Sequence, residues 1–336
     1  MKILYIGNDL SKDTQYHNAF STLKRNLTKE GFEVIGVSSK KNKVLRFMDM
    51  VFSVFVNARK VSYVIIDVFS TSAFYFALIT SQLSRMFGVK YIPVLHGGNL
   101  PLRIHKNPWL SDCIFKNSHI NIAPSGYLNS FFKAKHYKSV LITNSIDLVD
   151  YKFKQRSHLQ PKLLYVRAFA KIYNPIMAIE VLHKLIDNYP KATLCMVGPD
   201  RDGSLQEVKQ RIEKLQLSNH VTITGVLPRK DWHKLAEEYD VFINTTHVDN
   251  TPVSLIEVMA LGLPIVSTNV GGIPFLIKHL DDGVLVKPND CEEMKNEIVS
   301  LLTDKYKVET ITKSARMKVE NRDWKIIKNQ WIKILK

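Results

Sequence analysis

Two acids separated by seven positions, Asp249 and Glu257, are the residues of this 336-residue chain that are best suited to chemistry. Glu257 precedes an apolar run at 258–261, so we expect its carboxylate to be buried and hydrogen-bonded, because burying an unpaired charge is costly. Taken singly, Asp249 could be only a helix cap and Glu257 an ordinary helical residue. Their occurrence within one continuous pattern favours a shared site.

Two strand–turn–helix units surround these acids and would position them. Residues 241–243 form the β-branched and aromatic run of a buried parallel strand, and residues 254–261 predict a helix. A second strand at 265–267 leads through the flexible turn 270–272 into another helix. Such units place helix N-termini at one edge of a sheet, where free N–H groups and helix dipoles suit a phosphate or a ring of hydroxyl groups.

Two cationic side chains follow another predicted strand. Arg167 comes directly after the strand at 162–166, and Lys171 follows four residues later. A guanidinium at a strand end can clamp a phosphate through two parallel hydrogen bonds, and a nearby ammonium adds a point charge. Arg167 and Lys171 are therefore candidate phosphate ligands.

Further candidates stand at the carboxyl ends of predicted strands, where open α/β sheets bind their ligands. His96 follows the strand at 91–95 and could face a site at the sheet edge or serve only as a structural histidine. The remaining candidates in such positions are Gly7 and Asn8 in a polar loop at 8–15, Gly97 and Gly98 after His96, Gly198, and Leu227.

Strands alternate with helices along the chain, which predicts α/β architecture with parallel sheets and right-handed crossovers. A polar stretch at 150–161 predicts a linker, so we expect two Rossmann-like domains, at 1–155 and 156–319. Two such domains would face each other across a cleft, with ligands at the strand ends on both sides. The segment 320–336 contains a final amphipathic helix.

The chain carries a formal net charge of +16, and its first 150 residues hold 19 Lys and Arg against 9 Asp and Glu. Such an excess points to a polyanionic neighbour. No DNA- or RNA-binding motif accompanies the charge, so we expect no nucleic acid and favour an anionic membrane surface or an acidic acceptor. A solvated basic surface without a partner is the alternative.

Cysteine usage and hydropathy indicate the compartment. The three cysteines show neither metal-ligand spacing nor a disulfide framework, which fits a reducing, cytoplasmic setting. Residues 2–7 predict a first strand rather than a signal peptide. No charge-free apolar run reaches the ~18 residues of a membrane span, so we expect none.

One amphipathic segment, at 44–58, has two interpretations. Basic residues flank it on both sides, and its apolar stripe could simply pack in the core below a solvated face. Alternatively, the stripe could lie on a membrane surface or contact a lipid acceptor. The stripe consists of Phe47, Met48, Val51, Phe52 and Phe55.

The run from His247 to Pro264, with Asp249, Pro252-Val-Ser-Leu-Ile-Glu257 and Leu-Gly-Leu-Pro264, resembles the signature of retaining glycosyltransferases of family 4, also called glycosyl transferases group 1. The family usually has Glu at the position of Asp249. The resemblance covers nearly all of the second domain; in the first it rests on strand order, His96 and Asn144. It implies the GT-B fold, with 320–336 crossing back to the first domain.

The resemblance also implies an activity: transfer of a sugar from a nucleotide diphosphate-sugar to a glycan or lipid-linked acceptor, with retained configuration. Surface polysaccharide or glycoconjugate biosynthesis at the inner face of the plasma membrane would be the setting, and no cofactor or metal ion is expected. In this assignment the diphosphate binds Arg167 and Lys171, and the ribose binds Glu257. The sugar binds Asp249, Val253 and Ser254, and the nucleotide contacts Gly198 and Leu227. The residues that line the acceptor side are His96, Gly97, Gly98, Gly7 and Asn8.

Two other functions remain open from the sequence. A nucleotide-sugar epimerase of the same fold would need additional acid and base side chains. A non-catalytic nucleotide-sugar-binding subunit of a glycan-assembly complex would keep the fold and lose turnover. A nicotinamide dehydrogenase is poorly supported, because no strand is followed by GxGxxG with an acid about twenty residues later.

Overall fold

The computed structural model describes residues 1–9 and 19–336. These residues form two compact units, which we call the N unit (Met1–Ser145 with Trp324–Lys336) and the C unit (Ile146–Asp323). Of the loop predicted at 8–15, only Asn8 and Asp9 fall within the described residues. Strands and helices are numbered along the chain.

The N unit is built on a six-stranded parallel sheet. Its strands are β1 (Lys2–Ile6), β2 (Glu33–Val37), β3 (Tyr63–Val68), β4 (Lys90–Leu95), β5 (Asn121–Ala123) and β6 (Ser139–Leu141). Its described helices are α1 (Ala19–Lys29), α2 (Lys43–Asn57), α3 (Ala73–Met86), α4 (Leu100–Lys106), α5 (Pro108–Phe115), α6 (Gly126–Ala134) and α14 (Trp324–Leu335).

The C unit repeats this plan around a second six-stranded parallel sheet. Its strands are β7 (Lys162–Val166), β8 (Thr193–Val197), β9 (Val221–Gly225), β10 (Val241–Asn244), β11 (Ile265–Thr268) and β12 (Val284–Val286). Its helices are α7 (Pro175–Ile186), α8 (Ser204–Lys214), α9 (Arg229–Ala236), α10 (Val253–Leu261), α11 (Ile273–Leu276), α12 (Cys291–Thr303) and α13 (Lys305–Glu320).

Strand order fixes where each sheet can hold a ligand. The N-unit order is β2-β1-β3-β4-β5-β6, which reverses direction between β1 and β3. The C-unit order is β12-β11-β10-β7-β8-β9, which reverses between β7 and β10. In open parallel sheets the loops diverge at such a reversal and leave a crevice at the carboxyl ends of the two strands. The residues after β1 and β3, and after β7 and β10, therefore line the two crevices.

Both faces of the N-unit sheet are buried, which explains why its strands are apolar at consecutive positions. Leu4 and Ile6 belong to the core cluster on the α2 and α3 side, whereas Ile3 and Tyr5 belong to the opposite cluster. Helix α14 completes the second cluster, and the indole N–H of its Trp324 donates to Glu30 at 3.1 Å. The C-terminal segment thus supplies part of the N-unit core.

The stretch predicted to be a linker, 150–161, contributes buried side chains to the C unit. The Arg156 guanidinium donates to the carbonyl oxygens of Ala236 at 2.8 Å and Gly262 at 3.0 Å, at the ends of α9 and α10. Carbonyls in the last turn of a helix have no partner in the helix and carry partial negative charge, so a cation stabilises them. Burial lowers the Arg156 pKa to about 10, which leaves the guanidinium charged at neutral pH.

Replacing this cation should destabilise the C unit. We expect Arg156→Met to lower the free energy of unfolding by about 3 kcal/mol, because buried carbonyls lose a charged donor. Urea unfolding measures the loss. The matched control is Lys152→Met, an exposed residue of the same segment, which should change stability by less than ~0.5 kcal/mol. Equal losses in the two variants would contradict the capping role of Arg156.

Candidate functional site

An ion pair occupies the crevice at the strand-order reversal of the C unit. Arg167 follows β7, and Asp249 lies in the loop between β10 and α10. The Arg167 guanidinium pairs with the Asp249 carboxylate and lies 4.4 Å from the centre of the Tyr173 ring, a favourable cation–π distance. Folding thus brings together a cation and an acid that the sequence analysis selected independently.

The glycine turn between β11 and α11 fixes the position of Asp249. The Gly272 N–H donates to the Asp249 carbonyl oxygen at 2.9 Å. A Cβ at Gly271 or Gly272 would overlap the carbonyl oxygen of Asp249 or Asn250, and Gly271 has a φ of +55°. Only glycine at these positions lets the turn pack onto the backbone of the Asp249 loop.

Among residues 1–9 and 19–336, no side chain caps the start of helix α10. Its N-cap residue is Pro252, so the interpretation of Asp249 as a helix cap is wrong; the Asp249 carboxylate instead accepts the N–H of Asn250 at 2.8 Å. Val253 and Ser254 open the first turn, and within the described residues the buried Ser254 hydroxyl has no hydrogen-bond partner. N–H groups of a first turn lack helical partners and favour anions.

Glu257 lies one to two turns further along α10 and is only 6% exposed. Its Oε1 atom accepts a hydrogen bond from the Tyr151 hydroxyl at 2.8 Å and lies 3.0 Å from Nε of Arg229. Burial and the charge of Glu257 raise the pKa of Tyr151, so Tyr151 remains a donor. The prediction that this buried acid is hydrogen-bonded is confirmed.

Sequence reasoning missed the partners of Glu257. Tyr151 lies in the polar stretch taken for a linker, and Arg229 and His233 lie on α9. Nε2 of His233 is 3.9 Å from the Glu257 carboxylate, and its ring packs 4.7 Å from that of Tyr151. No local pattern marks these residues, because their relation to Glu257 is created by packing across the C unit.

The other C-unit candidates differ in how close they come to the ion pair. Gly198 follows β8, and the preceding residue, Val197, accepts the N–H of Arg167 at 3.0 Å. Leu227 is half-buried between β9 and α9, in the apolar cluster that includes Tyr151. Lys171 differs from the others: its side chain is 71% exposed, and its ammonium group pairs with Glu207 on α8 at 3.2 Å.

A second cluster lies at the strand-order reversal of the N unit. Asp67, near the end of β3, is 8% exposed and receives two donors on one oxygen: the Tyr5 hydroxyl at 2.8 Å and Nε2 of His96 at 2.9 Å. The His96 ring also stacks on Phe69 with 5.3 Å between centroids. A carboxylate at Nε2 keeps the proton on that nitrogen and leaves Nδ1 as an acceptor for a further hydroxyl.

The small residues predicted on the acceptor side surround this cluster. A Cβ at Gly7 would overlap the Asp67 carboxylate, so glycine admits that carboxylate to the end of β1. Asn8 accepts a hydrogen bond from the Arg46 guanidinium at 3.1 Å. Gly97 lies against the backbone of Ser70, and Gly98 is in the turn before α4. All four residues lie at the same edge of the N-unit sheet.

Among residues 1–9 and 19–336, His, Cys, Asp and Glu side chains form no group of three or more that could hold a metal ion. No helix in the described part of the chain combines the length and apolar character needed to cross a bilayer.

The glycine turn offers a test of how Asp249 is held. Gly271→Ala should lower the free energy of unfolding by about 2 kcal/mol more than Gly203→Ala. Gly203 also has a positive φ, +87°, but open space around its Cβ position, so both variants carry the left-handed strain of ~1–2 kcal/mol and only Gly271→Ala adds backbone overlap. Thermal and urea unfolding measure both. Equal losses would show that the packing onto Asp249 contributes nothing.

Comparison with known proteins gives both sequence and fold relatives. The family described as "Glycosyl transferases group 1" matches residues 150–318, which include Arg167, Asp249 and Glu257. The chain is 30% identical over 151 residues to sulfoquinovosyl transferase SQD2 of Arabidopsis thaliana, covering 44% of this chain and 28% of that protein. It is 27% identical over 152 residues to the UDP-Gal:alpha-D-GlcNAc-diphosphoundecaprenol alpha-1,3-galactosyltransferase of Escherichia coli, covering 44% and 38%.

The chain therefore matches well under half of the length of each of these two relatives. A solved structure of Anabaena HepE in complex with UDP-glucose matches along the whole chain, with a TM-score of 0.78, 19% identity, and coverage of 100% of this chain and 99% of that one. This likeness confirms the predicted fold class, the GT-B architecture of two parallel α/β sheets. From the match over half of its length, the chain is a member of the family of glycosyl transferases group 1.

Proposed function

We propose that this protein transfers a sugar from a uridine diphosphate-sugar to a hydroxyl group of a glycan or lipid-linked acceptor, with retained configuration and without a metal ion. The observation that carries the proposal is the Arg167–Asp249 pair beside the uncapped first turn of α10, with Glu257 buried on the same helix. The uridine nucleotide is supported by the HepE complex with UDP-glucose and by the UDP-Gal donor in the name of the Escherichia coli relative.

In this proposal the diphosphate binds at the first turn of α10. The N–H groups of Val253 and Ser254 and the unpartnered Ser254 hydroxyl would donate to phosphate oxygens. Arg167 would release Asp249 and turn its guanidinium to the diphosphate, where a bidentate cation stabilises the charge that develops on the leaving group. Removing one such contact typically slows catalysis a hundredfold or more, about 3 kcal/mol.

Asp249 and Glu257 would bind hydroxyl groups at the two ends of the donor. Glu257, fixed by Tyr151 and Arg229, has a carboxylate suited to accept from the ribose hydroxyls. Asp249, once Arg167 has moved to the diphosphate, would accept from a hydroxyl of the transferred sugar. Because the Asp249 loop leads directly into α10 and is held by the Gly271–Gly272 turn, the spacing between the two carboxylates would be set before the donor binds.

The acceptor side is assigned to the His96 cluster of the N unit. Asp67 orients the imidazole so that Nδ1 can accept a hydrogen bond from a sugar or acceptor hydroxyl. Gly7 and Gly97 keep side-chain bulk away from this sheet edge, and Asn8 and Gly98 lie beside them. In this proposal the leaving phosphate takes the acceptor proton, so His96 is assigned to positioning.

A non-catalytic binding subunit is the second candidate. It is favoured by Lys171, whose ammonium pairs with Glu207 on the surface instead of joining Arg167. Such a subunit would bind the nucleotide through the same residues and release no UDP. Lys171 remains a predicted phosphate ligand under the transferase proposal, because a long exposed side chain can swing to a bound diphosphate.

Glu257→Gln tests the donor site. The substitution keeps the shape and removes the charge that accepts two donors, so we expect UDP affinity to fall about tenfold to a hundredfold. At UDP concentrations about a hundred times the wild-type Kd, wild-type protein should gain ~2.7 kcal/mol of stability, visible as a raised Tm, and the variant much less. UDP release from UDP-glucose should fall in parallel.

The matched control is Glu213→Gln, an exposed acid on α8 in the same unit. It should keep the wild-type response to UDP. An unchanged affinity of the Glu257→Gln protein for UDP would contradict the assignment of Glu257 to the ribose. UDP binding in wild-type protein without release of UDP from any uridine diphosphate-sugar would support the binding subunit instead.

Asp67→Asn tests the acceptor side. The amide no longer offers a charged acceptor to His96 and Tyr5, so the imidazole loses its orientation. We expect the rate of transfer to fall about tenfold or more with an unchanged Tm response to UDP, because the nucleotide contacts belong to the C unit. Asp112→Asn is the control: it also accepts from a tyrosine of the N unit, Tyr137 at 2.7 Å, but on α5. Equal loss of transfer in both variants would refute a specific role for Asp67.

A further inference from the structure

We propose that the outward face of α2 docks onto an anionic lipid bilayer. The docking surface belongs to the N unit, and docking requires no step of the proposed transfer reaction. Three features support it: apolar side chains that face solvent, cations at both ends of the helix, and a hydrogen-bonded connection to the sheet edge around Asn8.

Helix α2 is apolar on the side where a surface helix is normally polar. Six side chains on this side are 42–67% exposed, and none of them is charged. We call them the α2 apolar face: Val44, Leu45, Met48, Phe52, Phe55 and Val56. Contiguous exposed apolar surface of this kind marks a site of interaction with a protein or a membrane.

Packing within the N unit does not require the α2 apolar face. The opposite side of the helix already supplies Met50 and Val54 to the core, and Phe47 packs on Phe76 of α3 with 5.1 Å between ring centroids. The stripe predicted from the sequence therefore divides: Phe47 and Val51 turn inward, whereas Met48, Phe52 and Phe55 turn outward.

The neighbouring helix extends the apolar surface. Helix α3 packs beside α2, where the rings of Phe55 and Phe87 meet edge to face at 5.3 Å. Its own exposed side chains include Tyr75, Ile79 and Met86, which recur at helical spacing along one side and are 46%, 39% and 77% exposed. Two adjacent helices thus present apolar side chains to solvent.

Charge identifies the occupant as anionic. Residues 40–60 contain six Lys and Arg and one acid, Asp49, which accepts a hydrogen bond from Ser38. Exposed cations lie at both ends of the α2 apolar face: Lys40, Lys41 and Lys43 before it, and Arg59 and Lys60 after it. Apolar side chains between long basic ones are typical of a helix that lies in the headgroup region of an anionic bilayer.

The same distribution disfavours a second copy of this chain as the occupant. Both ends of α2 are cationic, so parallel and antiparallel pairing of two copies would each bring like charges together at the ends of the contact. Like charges across an interface are destabilising. An anionic lipid surface has no such conflict.

One residue connects this surface to the candidate site. Arg46, in the first turns of α2, donates to the carbonyl oxygens of Lys40 at 2.7 Å and Lys41 at 3.0 Å, and to the Asn8 side chain at 3.1 Å. The basic turn is therefore held beside the carboxyl end of β1. Under the proposed function, on which this one step rests, a lipid-linked acceptor would reach the His96 edge from the bilayer on which α2 lies.

Vesicle co-sedimentation tests the docking without requiring turnover. The full chain should bind vesicles of phosphatidylcholine with about 30% phosphatidylglycerol and bind pure phosphatidylcholine far less. Met48→Ser/Phe52→Ser should weaken binding about tenfold or more through lost apolar burial. Lys41→Glu/Lys43→Glu should weaken it at least about twentyfold, since each cation near an anionic surface contributes about fivefold. Raising the salt concentration should weaken wild-type binding.

Matched controls lie in the C unit. Tyr306→Ser/Met317→Ser removes two exposed apolar side chains from α13, 82% and 61% exposed, and Lys209→Glu/Lys214→Glu reverses two exposed charges on α8. Both should bind like wild-type protein, and an unchanged Tm in every variant confirms folding. The proposal is overturned if wild-type protein does not bind anionic vesicles. It is also overturned if Met48→Ser/Phe52→Ser protein binds them as tightly as wild type. A wild-type dimer that Met48→Ser/Phe52→Ser converts to monomer without any vesicle binding overturns it in favour of a second copy.

Discussion

A helix buried on every side imposes the strictest constraint on the C unit. Every residue of α10 after Val253 is buried, so each polar group on it must be satisfied inside the protein. Arg156 donates hydrogen bonds to carbonyl oxygens at the C-terminal end of α10. Tyr151 donates a hydrogen bond to Glu257, and Arg229 forms an ion pair with it. Within the described part of the chain the first turn has no side-chain cap, and it lies beside the Arg167–Asp249 pair at the strand-order reversal. A ligand with phosphates and hydroxyl groups would complete this end of the helix.

The N unit also contains a buried carboxylate that must be hydrogen-bonded inside the protein. Asp67 is buried at the reversal of its own sheet and is stabilised by Tyr5 and His96, which it holds in place in turn. In both units a buried acid, Asp67 near the end of β3 and Glu257 within α10, is hydrogen-bonded by residues distant in sequence. Buried hydrogen-bond partners of this kind hold the hydroxyl-binding groups of a site in a fixed orientation.

Much of the local structure followed from patterns along the chain. The alternation of strands and helices predicted two parallel sheets, and the apolar run between Pro252 and Gly262 predicted α10 to within one residue. Helix α13 was not predicted, because its frequent lysines and threonines dilute the apolar period. The stretch 150–161 has a linker composition, yet Tyr151 and Arg156 are buried, since their partners are carbonyls and a carboxylate far along the chain.

The sequence by itself determined the fold class, the family resemblance and the selection of Arg167, Asp249 and Glu257, because each depends on residue types at short spacings. Only the tertiary structure decided which groups meet: Arg167 with Asp249, Glu257 with Tyr151 and Arg229, and Lys171 with Glu207 rather than with Arg167. It also decided which side of α2 faces solvent. The physical reason is that pairing and burial depend on distances across the sheets, which strand order sets and which spacing along the chain does not encode.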